Sequence, residues 1–399
     1  MWDTLKNADA AAAGRGLGIY VHLPWCVRKC PYCDFNSHAA PAEIPEARYV
    51  TALLADLDLD LADLDSGRHA ESMFFGGGTP SLFSPDAIAR IIDGVRTRMK
   101  CADDMEITLE ANPGTVEHGR FAGYRQAGVN RISLGAQSFA AAQLQALGRI
   151  HSVGDIGRAV DELIRGGFDN FNLDLMYALP EQNLADAARD VASAIALQPT
   201  HISYYELTLE PGTAFYHRPP ALPDGERAWE MQLQGQAALA ASGYEQYEVS
   251  AYAHDGRRCH HNLNYWTYGD YLGIGAGAHG KYSRPRGEGG LQITRTVRQR
   301  QPREYLSREP NIRVTDRRDI PEEERAFEFM LNALRLPAGF DRATFETRTG
   351  LPAASIDIPM RMARQRGLVE EASEWRPTPL GLRFLNDLQT FFLPPASPA

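Results

Sequence analysis

The stretch Leu17-Gly18-Ile19-Tyr20-Val21-His22-Leu23-Pro24-Trp25-Cys26-Val27-Arg28-Lys29-Cys30-Pro31-Tyr32-Cys33 joins a strand-forming run to three closely spaced cysteines. Residues 17–23 are branched, aromatic and short, which reads as a buried strand. The cysteines follow its C-terminal end at spacings of four and three. The 399-residue chain has only five cysteines, and this trio takes three of them. A disulfide framework would instead spread pairs through a small secreted chain. Random placement would give such a triplet in roughly one chain in a thousand, so metal ligation is the favoured reading.

Outward from this stretch, five similar runs follow at residues 72–75, 105–110, 131–136, 170–177 and 201–209. Between them, segments such as 49–64, 85–99 and 184–197 repeat apolar residues at three- and four-residue spacing. Strands alternating with helices imply βαβ units and a parallel sheet. Six units are too few to close an eight-fold barrel. The pattern predicts an α/β chain with a partial (β/α)6, TIM-like barrel over residues 17–243. The Gly-rich and polar residues come after the strands or near their ends: the cysteines, Gly76-Gly77-Gly78-Thr79-Pro80, Glu110, Gln137 and Asp174. In a parallel α/β barrel these positions share the C-terminal rim, where active sites are built.

After Gly243 the pattern changes. Residues 244–253 read as one further strand, leading to Cys259-His260-His261-Asn262 and Tyr265-Trp266. A Gly-rich stretch follows at 273–280. Residues 287–310 are polar and read as a connector, so 244–310 is expected to be a barrel extension. From Pro321, Phe327, Met330, Leu331 and Leu334 share a helix face, and helix-like pieces follow at 356–366 and 380–388. This predicts a small C-terminal helical domain over 311–392, winged-helix-like in pattern. Residues 1–16 are expected to be loosely attached, and the Pro-rich tail 393–399 frayed.

The bulk numbers narrow the function classes. There are 41 basic and 51 acidic residues, a net charge of −10, which argues against nucleic acid as a partner. No apolar run approaches the ~18–20 residues of a membrane span. The first residues lack the apolar centre of a signal peptide, so cytoplasmic placement is expected.

Three thiolates leave one iron of a cubane cluster without a protein ligand. That iron can accept the amino and carboxylate groups of a small molecule. Cys26-x3-Cys30-x2-Cys33, with Tyr32 before the last cysteine, resembles the signature of the radical S-adenosylmethionine (SAM) family. The resemblance implies a [4Fe–4S] cluster on Cys26, Cys30 and Cys33, with SAM on the open iron as the source of a 5′-deoxyadenosyl radical. Gly76–Pro80 resembles the family's glycine motif for the SAM amino group. Backbone without Cβ lets a ligand approach closely.

Further motifs are similar to the coproporphyrinogen III dehydrogenase branch: Tyr20–Trp25, Leu109–Pro113, Gly135–Phe139, Leu147–Arg149 and Asn172–Leu175. The resemblance spans about 19–388. It implies SAM contacts from Tyr20, Phe35, Gly77, Gly78, Thr79, Glu110, Gln137, Arg149 and Asp174. Carboxylates suit ribose hydroxyls, and Arg149 suits a carboxylate. Two departures point within the branch to the HemW family of haem chaperones. Phe35 stands where the dehydrogenase carries a further cysteine. His261-Asn262-x-x-Tyr265-Trp266 is similar to the motif that marks the HemW family. The resemblance then implies haem as ligand, haem-acceptor proteins such as respiratory-chain haem proteins as partners, and a flavodoxin or ferredoxin as electron donor. The alternative is a coproporphyrinogen III dehydrogenase of porphyrin biosynthesis.

Haem chemistry asks for an imidazole and an apolar surface. His261 or His260 could ligate iron, with Asn262, Tyr265 and Trp266 around the macrocycle. Plainer readings stand beside these. The cysteines could bind structural zinc with His22 or His38 as fourth ligand. Tyr265 and Trp266 could pack a domain interface. Cys259 could be a soft ligand or a buried thiol.

Overall fold

Leu17, Ile19, Val21 and Leu23 alternate with Gly18, Tyr20 and His22 along the first strand. The apolar set enters the main core beside Leu53 and Leu57 of one helix and Ile88, Ile91 and Ile92 of the next. The other set faces the inside of a barrel. In the computed structural model, residues 16–64, 67–114, 119–287, 290–371 and 374–394 are described. The expectations for residues 1–15 and 395–399 lie outside them.

In chain order the strands are β1 (Gly16–Leu23), β2 (Trp25–Cys26), β3 (His38–Ala39), β4 (His69–Gly77), β5 (Lys100–Ala111), β6 (Arg131–Gln137), β7 (Phe171–Tyr177) and β8 (His201–Glu206). They continue as β9 (Glu245–Glu248), β10 (Ala251–Ala253), β11 (Tyr271–Ile274), β12 (His279–Arg286), β13 (Gly290–Arg298), β14 (Val314–Asp319), β15 (Val369–Glu371) and β16 (Trp375–Pro377). The main sheet has twelve strands, ordered β14-β13-β12-β11-β1-β4-β5-β6-β7-β8-β10-β9. Its centre, β1-β4-β5-β6-β7-β8, is parallel throughout. This is the expected six-stranded partial barrel. Helices Glu46–Leu61, Pro85–Arg96, Phe121–Ala127, Val153–Arg165 and Leu184–Ala196 connect its strands.

The structure corrects the reading after residue 243. The single strand expected over 244–253 is broken into β9 and β10, an antiparallel pair. The Glu248 carboxylate accepts hydrogen bonds from the Ser250 amide and hydroxyl, both at 3.1 Å, and turns the chain there. The connector expected over 287–310 contains β13, a full member of the sheet. Its buried side chains include Thr294, Thr296 and Arg298, polar residues that disguise a strand; Thr294 bonds Asp319, and Arg298 bonds the Gly273 carbonyl and Asp60. Arg298 is fully buried against Asp56 and Asp60 of the Glu46–Leu61 helix. The sheet runs on to Asp319, so the junction drawn at 310–311 falls inside the extension. The helix expected over 380–388 is split at Phe384 into Pro379–Arg383 and Leu385–Thr390.

The C-terminal helices, with the β15–β16 hairpin, bury Phe329, Met330, Leu334, Phe340, Phe345, Met360 and Leu388 in a second core. Tyr268 and Ile293 belong to that core and tie it to the barrel extension.

Candidate cluster and cofactor site

Strand β1 ends at Leu23, and the cysteine loop begins two residues later. Pairing of β2 with β3 closes the loop over residues 27–37. Leu23 and Trp25 carbonyls accept from the Gly78 and Thr79 amides at 2.9 and 2.8 Å, seating the glycine turn of β4 against the loop. A Cβ on Gly78 would lie 2.6 Å from the Trp25 oxygen, so only glycine allows this approach.

Each cysteine has its own donor. The Thr79 hydroxyl points at Cys26 Sγ (3.6 Å), Arg149 Nη1 at Cys30 Sγ (3.8 Å), and the Ser37 hydroxyl lies 4.0 Å from Cys33 Sγ. Burial pushes the Cys26 and Cys33 thiols up, and hydrogen bonding at each works against it. Among the described residues no three His, Cys, Asp or Glu side chains converge as around a single ion. The loop, half-buried and lined by donors, suits a cluster with one thiolate per iron better than zinc. His22 is unsuited to a fourth ligand: its Nε2 bonds the Asn36 carbonyl (2.9 Å) and its Nδ1 the Tyr20 hydroxyl (3.1 Å). His38 Nε2 is engaged by Asn36 Oδ1 at 3.2 Å.

A relay of side chains links two of the thiols. Asn112 Nδ2 donates to Thr79 Oγ1 at 3.0 Å, and Arg149 donates to Asn112 Oδ1. Arg149 Nη2 also bonds the Gly135 carbonyl at 2.8 Å. Position and orientation of Arg149 are thus set from β5, β6 and the loop together. Asn112 falls within Leu109–Pro113, where the sequence alone assigns it no role. Ser37 and Tyr205 were missed altogether, because a hydrogen bond to a neighbour leaves no spacing signal.

Inside the rim, Glu110 Oε2 accepts from the Gly77 amide at 3.3 Å. Burial and the nearby Asp174 charge push the Glu110 carboxyl up to about 8. Burial also raises Asp174, which is held by Asn172 Nδ2 (2.8 Å) and the Ser133 hydroxyl (3.3 Å). Gln137 closes β6 with φ of 68°, an uncommon conformation for a side-chain-bearing residue, and accepts from the Tyr205 hydroxyl at 2.7 Å. Tyr20, Gly77, Gly78, Thr79, Glu110, Gln137, Arg149 and Asp174 therefore gather at one mouth, around the cysteine loop. Phe35 lies on that loop with its side chain 57% exposed.

The histidine motif sits at the other end. Residues His260–Trp266 form a helix packed on the early residues of β1 and β4. The two histidines differ in setting: His260 is exposed and His261 is buried. His261 Nδ1 lies 3.0 Å from the Ser72 hydroxyl, while Nε2 has no hydrogen-bond partner among the described residues. Its ring stacks on Phe74 (5.0 Å) and Tyr20 (6.3 Å). Burial and the Arg131 charge push its pKa down to about 3, so the ring stays neutral. The Nδ1–Ser72 contact suits either tautomer, with the proton on Nδ1 or on the serine hydroxyl side. Tyr265 packs between His261 and Tyr271. Trp266 lies under the Arg335 guanidinium at 4.4 Å, so it does serve a domain interface. Cys259 is a buried thiol pushed up to about 12, donating to Glu106 at 3.4 Å.

A six-stranded parallel core with a three-cysteine loop at its C-terminal mouth defines the radical SAM superfamily, whose profile matches residues 20–193. The HemN C-terminal domain profile matches residues 320–384. The chain is 48% identical over 378 residues to the heme chaperone HemW of Escherichia coli, covering 94% of this chain and 98% of that protein. It is 47% identical over 381 residues to heme chaperone HemW of Haemophilus influenzae, with the same coverage. The chain belongs to the HemW family. Its fold is similar to that of E. coli coproporphyrinogen III oxidase (HemN), with a TM-score of 0.77 over 98% of this chain and 93% of that one at 21% identity. At that identity the likeness speaks for the fold alone.

Proposed function

We propose that this chain binds haem and passes it to acceptor proteins, while holding a SAM-liganded [4Fe–4S] cluster on Cys26, Cys30 and Cys33. Kinship with heme chaperones over nearly the whole chain supports the reading. The observation that carries it is His261: a neutral imidazole with one nitrogen bonded to Ser72 and the other bare. Metal-ligating histidines are prepared in this way by their neighbours. Asn262, Tyr265 and Trp266 would shape the surroundings, and His260 would be the competing ligand.

When bound, the cluster would supply an electron to SAM or to a nearby haem iron. The chain's own residues do the rest. Thr79, Arg149 and Ser37 direct donors at the three thiolates. Gly77 and Gly78 let the β4 turn close on His22 and Trp25, beside which the amino end of SAM would lie. Glu110 and Asp174 would meet its ribose, with Glu110 able to donate a proton as well as accept. Tyr20 and Gln137 would border the bound cofactor, and Phe35 would approach it from the loop. A flavodoxin or ferredoxin would supply the electron, and respiratory-chain haem proteins would receive the haem. Among the described residues no helix is long and apolar enough to cross a membrane. The setting we assign is cytoplasmic.

The test is an anaerobic haem titration of the cluster-reconstituted protein. We expect a saturable Soret band at one haem per chain, lost or shifted in His261→Ala. A wild-type protein that shows no saturable haem binding contradicts the proposal. Conversion of coproporphyrinogen III by the same sample, with SAM consumed, would instead favour a decarboxylase.

A further inference from the structure

In the seated position His261 is 1% exposed. A porphyrin is far wider than an imidazole and cannot bring its iron to that buried nitrogen while the His260–Trp266 helix fills the barrel floor. The helix must leave, and the structure shows what holds it.

On the inner side one carboxylate does most of the holding. Glu106, buried on β5, accepts from the Cys259 thiol at 3.4 Å, the His260 amide at 3.1 Å and the His261 amide at 3.2 Å. It caps a helix that has no side-chain cap of its own. On the outer side, the C-terminal helix Glu322–Ala333 is followed by Arg335, which covers the Trp266 ring and pairs with Glu248. Asn264 Nδ2 donates to the Asp270 carbonyl at 2.8 Å.

Other features oppose closure. A helix of seven residues is too short to stand alone. Among the described residues, His261 Nε2, Trp266 Nε1, Arg131 Nε and Arg335 Nε are all buried without hydrogen-bond partners, and all lie in or against this helix or its holders. Such atoms regain partners when water enters. The closed state is therefore fixed by a few charged contacts against a standing polar cost, which is the balance of a two-state element.

We infer that the His260–Trp266 helix is a latch that swings out of the barrel floor to present His261 to haem, and that Glu106 and Arg335 set the fraction of time it is open. This rests on the haem reading above. A ligand that binds only the open state has an apparent Kd equal to its intrinsic Kd divided by the open fraction. Glu106→Gln keeps the side chain's shape and weakens the cap. It should tighten haem binding and speed association by roughly fivefold to tenfold, the effect of losing one charge-assisted contact of the closed state. Arg335→Ala, which acts from the opposite side, should do the same.

The two variants and wild type are compared in haem titrations and, without haem, by amide hydrogen exchange of residues 260–266. Faster exchange of this helix in both variants, with β6 unchanged and haem binding tightened, is the expected result. Unchanged exchange, or weakened haem binding in both variants, overturns the latch and makes Glu106 a static support. If wild type binds no haem, the functional proposal falls, while the exchange comparison still decides whether the helix opens.

Discussion

At the residue scale, the chemistry is set by where polar groups are buried. Glu110 keeps its proton in the folded chain up to about pH 8, because burial and Asp174 disfavour its charge. An unfolded chain releases that proton near the ordinary value of 4.5. Between these limits the folded state holds more protons, so this group lowers stability as pH rises through the window. Glu110→Gln removes the penalty. In cofactor-free protein, the variant should match wild type in Tm near pH 5 and exceed it increasingly towards pH 8. A Tm difference that stays constant over this range would show that Glu110 is not the titrating group. The cysteines were legible because their spacing is rare. Glu110 and Asp174 were legible as rim positions, but their mutual repulsion required the register of β5, β6 and β7. The contrast between His260 and His261 was not legible. Neighbouring positions on a helix point some 100° apart, and nothing in the letters says which faces inward.

At the element scale, βαβ alternation exposed the six parallel strands, and polar strands concealed the extension. β11 and β12 are fixed by Asp270, fully buried, which receives Arg68 at 2.8 Å, Lys281 at 2.9 Å, and the Ser283 amide and hydroxyl, both at 2.9 Å. Burial alone would raise this carboxyl, but Lys281 and Arg68 outweigh it and hold the group well below the usual range. Arg68 leads into β4, so the network joins the extension to the barrel. Asp270→Ala leaves two buried cations without their shared partner and should cost about 3–5 kcal/mol in urea unfolding. A loss under 1 kcal/mol would mean the contacts are made equally well by water. Composition marked residues 287–310 as a connector because Thr294, Thr296 and Arg298 look like surface residues. Their partners, among them Asp60 and Asp319, lie far away in sequence. Pairing at that distance carries no local periodicity.

At the scale of the whole molecule, one barrel carries two unlike ends. The C-terminal mouth holds a donor-lined loop of three thiols beside the buried carboxyls of Glu110 and Asp174. The opposite end is closed by a short helix carrying an imidazole, and a second apolar core leans on that helix through Trp266, Tyr268 and Arg335. Tyr20 spans the two ends, touching His22 above and His261 below. SAM binding depends first on the open iron, since a cluster closed by four protein ligands could not take SAM. The most direct test is the electron paramagnetic resonance spectrum of the reduced, anaerobically reconstituted protein, recorded with and without SAM. We predict a [4Fe–4S] signal whose g-values shift when SAM is added and which disappears in Cys30→Ser. A cluster signal that SAM leaves unchanged, or no cluster at all in protein with the three cysteines intact, would contradict it.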